Sequence, residues 1–243
     1  MADSNLIIRN VKVVTPTGDS ARRGSAMSEL SVTEDASIVI TDGVITYVGP
    51  SDDIRIEADV DYNILDGEGN VALPGFVDSH THLIFGGFRP DEFEWRLKGD
   101  SYMSIMERGG GIQSTVNATR GESLEALVEK ARWFIDRMVD MGVTTVEAKS
   151  GYGLDTESEM KMLDAIDTLA RDEETPLSVV ATFLGAHAVP KEYKGRTSEY
   201  IDLMIREMLP AAKGKAKFCD IFTEKNVFEI EDSRRFLTAA RDA

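Results

Sequence analysis

Ten residues decide the fold, LPGFVDSHTH at 73–82, because the patterning of the chain changes at this point. Before them, short β-type runs alternate with turn residues, and after them strands alternate with amphipathic helices. Pro74 and Gly75 break the first pattern, and the apolar run that follows predicts a buried strand that ends at His82. Strands separated by helices indicate parallel pairing through right-handed crossovers. The sequence therefore predicts an α/β fold preceded by a small β domain.

The part of the chain before residue 74 is predicted to be that β domain. Asp42 and Gly43 separate two of its strands and predict a type I′ hairpin, because both residue types tolerate a positive φ. The polar segment 16–35 is predicted to be a long flexible loop. Strands are predicted at 6–14, 37–41, 44–49, 62–66 and 70–73.

Residues 74–243 are predicted to form four successive βα units, which is the first half of a (β/α)8 TIM-type barrel. A capping box of Thr156 and Glu159 predicts the start of one of the helices. A half barrel leaves a sheet edge and an apolar face open to water, so we expect the barrel to be truncated here; a complete four-stranded α/β domain is the alternative. Strands are predicted at 76–82, 143–148, 177–186 and 217–223, and helices at 123–141, 156–171, 198–209 and 230–243.

The composition is acidic, with 43 Asp and Glu against 27 Lys and Arg and a formal net charge of −16. This charge argues against nucleic acid and anionic membranes as partners.

Cys219 is the only cysteine, which rules out a disulfide within the sequence, and its apolar surroundings predict a buried structural thiol. Because no apolar stretch is long enough to span a bilayer, we expect a cytoplasmic location.

The three histidines of the sequence all lie at the carboxyl ends of predicted strands, where barrel active sites are built. His80 and His82 occupy positions i and i+2 of one strand, so their rings point to the same side and can share one metal ion. His187 can be a third ligand or can contact the substrate. A solvated His-x-His pair and a structural histidine are the alternatives.

Several segments resemble a known family. The stretch at 73–82 resembles the first-strand motif of the amidohydrolase superfamily, and four later segments narrow the resemblance to the imidazolonepropionase family. These segments are FGGFR at 85–89, GGGI at 109–112, EAKSGYGL at 147–154 and FLGAHAVP at 183–190.

The resemblance implies a (β/α)8 barrel joined to a composite β-sandwich. Residues 1–73 would form the amino-terminal part of the sandwich, and 74–243 the first four βα units of a metal-dependent hydrolase barrel. The implied reaction is hydrolysis of the small molecule 4-imidazolone-5-propanoate to N-formimidoyl-L-glutamate, in histidine degradation, by a metal-activated water. The implied cofactor is one Zn²⁺ or Fe³⁺ per subunit, and the implied assembly of the full-length protein is a homodimer.

The resemblance also implies roles for individual residues. His80 and His82 match the metal ligands of the family, whereas Arg89, Tyr152 and His187 match its substrate-binding positions. An arginine can bind the propanoate with two hydrogen bonds, and His187 can stabilise the oxyanion that develops in the reaction. A surface arginine and a turn tyrosine that packs on the rim are the alternatives.

The family's third metal histidine, its metal-binding aspartate and a glutamate for proton transfer come from later strands, which this sequence does not contain. We therefore expect this polypeptide alone to be inactive and to bind metal weakly. Glu147 and Lys149 end the second barrel strand and either face the site or pair with each other. Two other functions stay open: another amidohydrolase, such as an aromatic deaminase or a cyclic ureide hydrolase, and a non-catalytic binding module.

Overall fold

The computed structural model describes residues 5–18, 20–101, 104–105 and 108–243. The chain forms two compact units, Met1–Pro74 and Gly75–Ala243. Within the described ranges, no helix combines the length and the apolar character that crossing a bilayer requires.

The first unit is built on one five-stranded sheet. In the order β3-β2-β1-β4, strand β1 is antiparallel to β2 and parallel to β4, and the short β5 also pairs with β1. The predicted composite sandwich needs a second sheet facing this one, and the described residues of this unit hold a single sheet, so the sandwich stays a prediction. The strands are β1 Leu6–Pro16, β2 Leu30–Thr41, β3 Val44–Pro50, β4 Asn63–Asp66 and β5 Val71–Ala72, with 3₁₀ turns at Gly24–Ser28 and Ser51–Asp53.

The β2–β3 hairpin confirms its sequence signal, since φ is 50° at Asp42 and 76° at Gly43. The predicted flexible loop at 16–35 is wrong at its end, over 30–35, because β2 begins at Leu30 and its first residues pair with the end of β1. This extension is mostly exposed, so hydrogen bonds to a distant strand, and not burial, stabilise it. Asp19, within the same segment, lies outside the described residues.

The second unit contains a four-stranded parallel sheet in the order β6-β7-β8-β9. Each strand is followed by helical structure, as the alternating pattern predicts. The strands are β6 Phe76–Thr81, β7 Val143–Lys149, β8 Ser178–Ala186 and β9 Phe218–Ile221. The helices are α1 Pro90–Leu97, α2 Ile112–Gly121, α3 Leu124–Asp140, α4 Thr156–Arg171, α5 Thr197–Leu203, α6 Leu209–Ala212 and α7 Ile230–Asp242, with a π-helical turn at Met204–Met208 and a 3₁₀ turn at Lys191–Tyr193.

The core of this unit lies between the sheet and its helices. Leu127 and Ile135 of α3 and Leu163 of α4 are fully buried, as are Val146 of β7 and Phe183 of β8. Apolar burial of this kind contributes roughly 1.5–3 kcal/mol for each large side chain. Because the strands are parallel and adjacent, their carboxyl ends meet at one edge of the sheet, and the residues that follow them are brought together there.

Three local features differ from prediction. Helix α4 is capped by Asp155, whose carboxylate accepts the N–H of Ser158 at 2.7 Å, so the capping box of Thr156 and Glu159 is wrong. Helices α1 and α2 were not predicted, because α1 is highly charged and α2 carries few apolar residues at helical spacing. The helix predicted at 198–209 is interrupted by the π-helical turn, which comes just before a proline that lacks an N–H.

Gly86 lies where the chain passes close to α2 after leaving β6. Its N–H donates to Thr119 Oγ1 at 2.9 Å, and a Cβ at this position would lie 2.5 Å from backbone atoms of Ala118 and Thr119. We expect Gly86→Ala to lower the free energy of unfolding by about 1–3 kcal/mol, because the backbone must shift to admit the methyl group. Urea unfolding measures this change. Gly121→Ala is the control, since a Cβ there meets nothing within 4 Å; equal effects of the two variants would contradict the prediction.

Candidate functional site

The three histidines meet at the carboxyl edge of the parallel sheet. His80 lies near the end of β6, His82 follows that strand directly, and His187 follows β8. The ring centroids of His80 and His82 are 5.9 Å apart, and those of His82 and His187 are 4.4 Å apart with nearly parallel planes. The first two rings are thus close enough for one nitrogen of each to reach a common ion.

His82 has the properties of an unprotonated ligand. Burial, with the neighbouring His187 and His80, lowers the pKa of His82 to about 3, so the ring is neutral at physiological pH. Its Nδ1 is buried and has no hydrogen-bond partner among the described residues. A buried polar atom without a partner is costly, and a neutral imidazole nitrogen is a common metal ligand. The geometry therefore leaves a nitrogen of His82 available for a group that is not part of the chain.

The tautomer of His187 is set by a backbone carbonyl. Its Nδ1 lies 3.0 Å from the carbonyl oxygen of Gly151, and because a carbonyl only accepts, Nδ1 carries the proton. Burial lowers the pKa of His187, and this hydrogen bond only partly opposes the effect. The net downward shift favours the neutral ring. Nε2 is then an acceptor. The predicted stabilisation of an oxyanion needs a donor at this atom and therefore requires a protonated ring.

Tyr152 packs against both of these histidines. Its ring centroid is 4.7 Å from that of His82 and 5.1 Å from that of His187. Burial raises the pKa of the Tyr152 hydroxyl, and the positive charge of Arg89 opposes this shift, so the phenol is protonated at physiological pH. The tyrosine therefore offers a neutral hydroxyl and an aromatic face close to the histidines.

A cavity of about 220 Å³ is lined by two of the three predicted substrate residues, Arg89 and Tyr152, together with His82, whereas His187 lines a different cavity. Arg89 is partly exposed, and its Nη1 lies 3.4 Å from Oε2 of the buried Glu92. Oε1 of Glu92 accepts the N–H of Gly111 at 2.6 Å, so one carboxylate joins the arginine to the glycine triplet. The residues lining the cavity include His82, Phe85, Phe88, Arg89, Thr115 and Tyr152.

Lys130 of α3 holds the segment that carries Arg89. Its Nζ lies 3.7 Å from the centroid of the Phe85 ring and 3.8 Å from that of Phe88, and it donates to the Gly87 carbonyl. Cations over aromatic faces in partly desolvated surroundings contribute roughly 0.5–2 kcal/mol. The sequence gives no local signal for this contact, because the lysine lies far along the chain from the aromatic pair.

Glu147 and Lys149 pair with each other, which was one of the two predicted alternatives. Lys149 is buried, and its Nζ lies 2.5 Å from Glu147 Oε1 and 3.1 Å from Asp220 Oδ2. Thr182 also donates to Glu147 at 2.7 Å. Burial lowers the pKa of Lys149, but the two carboxylates outweigh this effect and the net shift is upward. Asp220 was missed by sequence reasoning, since a single acidic residue in a short apolar strand carries no distinctive spacing.

A second cavity, of about 300 Å³, has His80 and His187 in its walls together with Asp220 and Phe222. His80 thus lines a different cavity from His82. Among the residues that the structure describes, no group of three or more His, Cys, Asp or Glu side chains is arranged to hold a metal ion. The site consequently offers two candidate imidazole ligands and not a full ligand set.

Cys219 lies in β9, next to Asp220 in sequence, and is partly buried. Burial, together with the nearby Asp220 carboxylate, raises the pKa of the Cys219 thiol to about 12. Because the thiolate is the reactive form, we expect alkylation by iodoacetamide at pH 8 to be about 10³-fold slower in the folded chain than in urea. Mass spectrometry follows this single site. Similar rates in the two states would contradict a buried structural thiol.

Comparison with known proteins identifies relatives by sequence. No protein-family model matches the chain. It is 57% identical over 241 residues to an imidazolonepropionase of Phocaeicola vulgatus, covering 98% of this chain and 58% of that protein. It is 52% identical to one of Parabacteroides distasonis (99% and 58% covered) and 46% identical to one of Clostridium tetani (100% and 58%). The chain therefore spans somewhat more than half the length of these relatives.

Solved structures with a similar fold include hydrolases and deaminases of low sequence identity. A triazine hydrolase variant superposes with a TM-score of 0.62 at 18% identity, over 98% of this chain and 51% of that one. The guanine deaminase of E. coli superposes with a TM-score of 0.54 at 16% identity, over 98% and 50%. At such identities the likeness concerns the fold alone. By sequence, the chain is related over nearly its whole length to the imidazolonepropionases.

Proposed function

We propose that this sequence supplies two metal ligands and the substrate-carboxylate site of an imidazolonepropionase, which hydrolyses 4-imidazolone-5-propanoate to N-formimidoyl-L-glutamate. The observation that supports this most directly is the cavity lined by His82, Tyr152 and Arg89. A guanidinium and a neutral imidazole in one cavity match a substrate with a carboxylate at one end and a cyclic amide at the other. The relatives bearing this name, at 46–57% identity, support the same assignment.

The donor atoms of the site fit a metal ion. Nδ1 of His82 is buried without a partner among the described residues, and the ring of His80 is near enough to share an ion with it. We infer that these two imidazoles hold zinc or iron, since neutral imidazole suits both metals. The ion would lower the pKa of a water molecule and polarise the scissile carbonyl.

The side chains of this chain would bind and orient the substrate. Arg89 binds the propanoate through paired N–H donors, and the ring of Tyr152 forms one wall of the cavity. Nε2 of His187 accepts a hydrogen bond from an N–H of the imidazolone ring, in agreement with the tautomer set by the Gly151 carbonyl. Phe85 supplies a further aromatic wall of the cavity. Together these contacts place the amide next to the histidine pair.

The ligand set is incomplete in the described part of the chain, because a catalytic zinc normally takes three protein ligands. We infer that the remaining ligands and the proton-transfer glutamate belong to the part of the relatives that this chain does not match. The 243-residue polypeptide on its own is therefore expected to bind zinc weakly and to show no turnover. Calorimetric zinc titration and an activity assay check this; tight stoichiometric binding or hydrolysis would contradict it.

We also infer the larger architecture from the same resemblance. Strands β6 to β9 would be the first half of a (β/α)8 barrel, and residues 1–73 part of a composite β-sandwich. Phe76, Val77 and Phe218 on the barrel strands are more than half exposed, as expected where further strands complete a barrel. The full-length protein would be a homodimer.

The function is tested with the complete gene product that carries this sequence. It is incubated with 4-imidazolone-5-propanoate, and the loss of imidazolone absorbance and the appearance of formimidoylglutamate are followed. We expect turnover that a chelator abolishes and that zinc or iron restores. Absence of turnover by the metal-loaded protein would refute the proposal.

The alternatives are separated by offering the same protein a panel of aminated heterocycles and hydantoin-like rings beside the imidazolone. An aromatic deaminase would release ammonia from aminated heterocycles, and a cyclic ureide hydrolase would open hydantoin-like rings. The guanidinium in the cavity favours a substrate that carries a carboxylate over either of these. A non-catalytic binding module would bind ligands of the panel without converting any of them.

A further inference from the structure

Glu159, near the start of α4, is a carboxylate completely removed from water. Its Oε1 accepts the N–H groups of Gly153 and Leu154 at 2.8 Å each, and its Oε2 accepts the N–H of Gly151 at 3.1 Å. Ser150 adds a side-chain hydrogen bond. Burial raises the pKa of the Glu159 carboxyl, and these four hydrogen bonds oppose that shift. All four donors belong to the segment 150–154.

This segment has a backbone conformation that needs support. Gly151 has φ of +112°, and a Cβ there would lie 2.9 Å from the Cβ of His187. Leu154 has φ of +56°, a left-handed conformation that costs a non-glycine residue roughly 1–2 kcal/mol. A carboxylate that accepts three backbone N–H groups of one short segment offsets such strain. Glu159 thus stabilises a loop shape that its backbone alone disfavours.

The same segment carries two contacts of the site. Its Tyr152 side chain packs against His82 and His187, and its Gly151 carbonyl fixes the proton of His187 on Nδ1. Movement of the loop would therefore displace Tyr152. It would also remove the hydrogen bond that keeps the proton of His187 on Nδ1.

Capping of helix α4 does not account for the burial of Glu159. Asp155 already caps this helix through the Ser158 N–H. Burying a carboxylate costs free energy unless hydrogen bonds compensate, and the bonds of Glu159 go to the loop that holds Tyr152. Its position is explained by the loop and not by the helix.

We propose that Glu159 is a positioning residue, whose carboxylate holds residues 151–154 in the conformation that orients Tyr152 and fixes the tautomer of His187. The inference rests on the proposed function for its effect on turnover, but its effect on the imidazole is independent of that function.

The test uses Glu159→Gln in the complete gene product. The glutamine has nearly the same shape, but its amide group presents a donor to backbone donors, so the loop should shift. We expect KM for 4-imidazolone-5-propanoate to rise about tenfold or more, within the 10–100-fold range typical of residues that orient ligand-binding groups, with metal content unchanged. Nitrogen NMR of the three histidine rings should show that His187 loses its single Nδ1–H tautomer.

Glu157→Gln is the matched control, because Glu157 is an exposed carboxylate in the first turn of the same helix. It should leave KM, kcat and the His187 resonances unchanged. Glu159→Asp keeps the charge with a shorter reach and should give a milder form of the same defect, so it decides the test if Glu159→Gln does not fold.

The outcomes separate the two proposals. An inactive wild-type protein would refute the proposed function, and the NMR comparison would still decide the role of Glu159. Normal KM together with an unchanged His187 tautomer in a folded Glu159 variant would overturn the inference. A loss of thermal stability alone, with both readouts normal, would equally assign Glu159 a merely structural role.

Discussion

Replacing His82 with asparagine is expected to remove the metal ion and abolish hydrolysis in the complete gene product. The ring has a buried Nδ1 without a partner among the described residues, and burial keeps it neutral. A metal ion contributes several kcal/mol to the stabilisation of the transition state, so kcat/KM should fall on the order of 10³-fold or more. The metal content of the purified variant is measured by inductively coupled plasma mass spectrometry, and its turnover is measured in parallel.

His187→Asn is the matched control for this variant. It removes a ring that stacks on His82 at 4.4 Å but is not predicted to ligate the metal. We expect it to keep a full complement of metal while substrate binding weakens. A His82→Asn protein that is folded and retains stoichiometric metal would contradict the ligand assignment.

Replacing Arg89 with glutamine is expected to raise KM about 10–150-fold with a smaller effect on kcat. The change removes charged hydrogen bonds to the propanoate, each worth roughly 1.5–3 kcal/mol. Arg89 lines the cavity with Tyr152 and His82, whereas Arg96, in the helix α1 that Arg89 precedes, is exposed and lies outside the cavity. Steady-state kinetics of Arg89→Gln and Arg96→Gln therefore give a direct comparison, and the second variant should behave as wild type.

An analogue of the substrate without the carboxylate gives the decisive control for Arg89. If the guanidinium binds the propanoate, the variant and the wild type should differ little with this analogue. An equal loss with substrate and analogue would show that Arg89 supports the cavity through Glu92 or the glycine triplet and does not bind the carboxylate.

Much of the second unit can be predicted from the sequence. Strands β6 to β9 and helices α3 and α4 have regular apolar spacing, and parallel pairing places their carboxyl ends at one edge. That topology explains why His80, His82 and His187 are found together, although His187 follows His82 by about 105 positions in the sequence. Their roles stay predictions.

The supporting residues could not be predicted, because their partners lie far along the chain or outside any regular pattern. Lys130 reaches two phenylalanines more than forty residues away, and Glu92 reaches Gly111 across nineteen. The spacing of Glu159 from Thr156 matched a capping box, but Asp155 caps the helix. The carboxylate of Glu159 instead accepts hydrogen bonds from the loop at 151–154. Similarly, the first residues of β2 are mostly exposed, including the apolar Leu30 and Val32, and their pairing with β1 makes them a strand.

The central claim is that His80 and His82 bind the same metal ion. Anomalous diffraction from crystals of the zinc-loaded gene product tests this most directly. We predict one anomalous peak about 2.0–2.1 Å from a ring nitrogen of each histidine, on the side of the cavity that Arg89 lines. A zinc ion bound elsewhere, or bound to only one of the two rings, would contradict the claim.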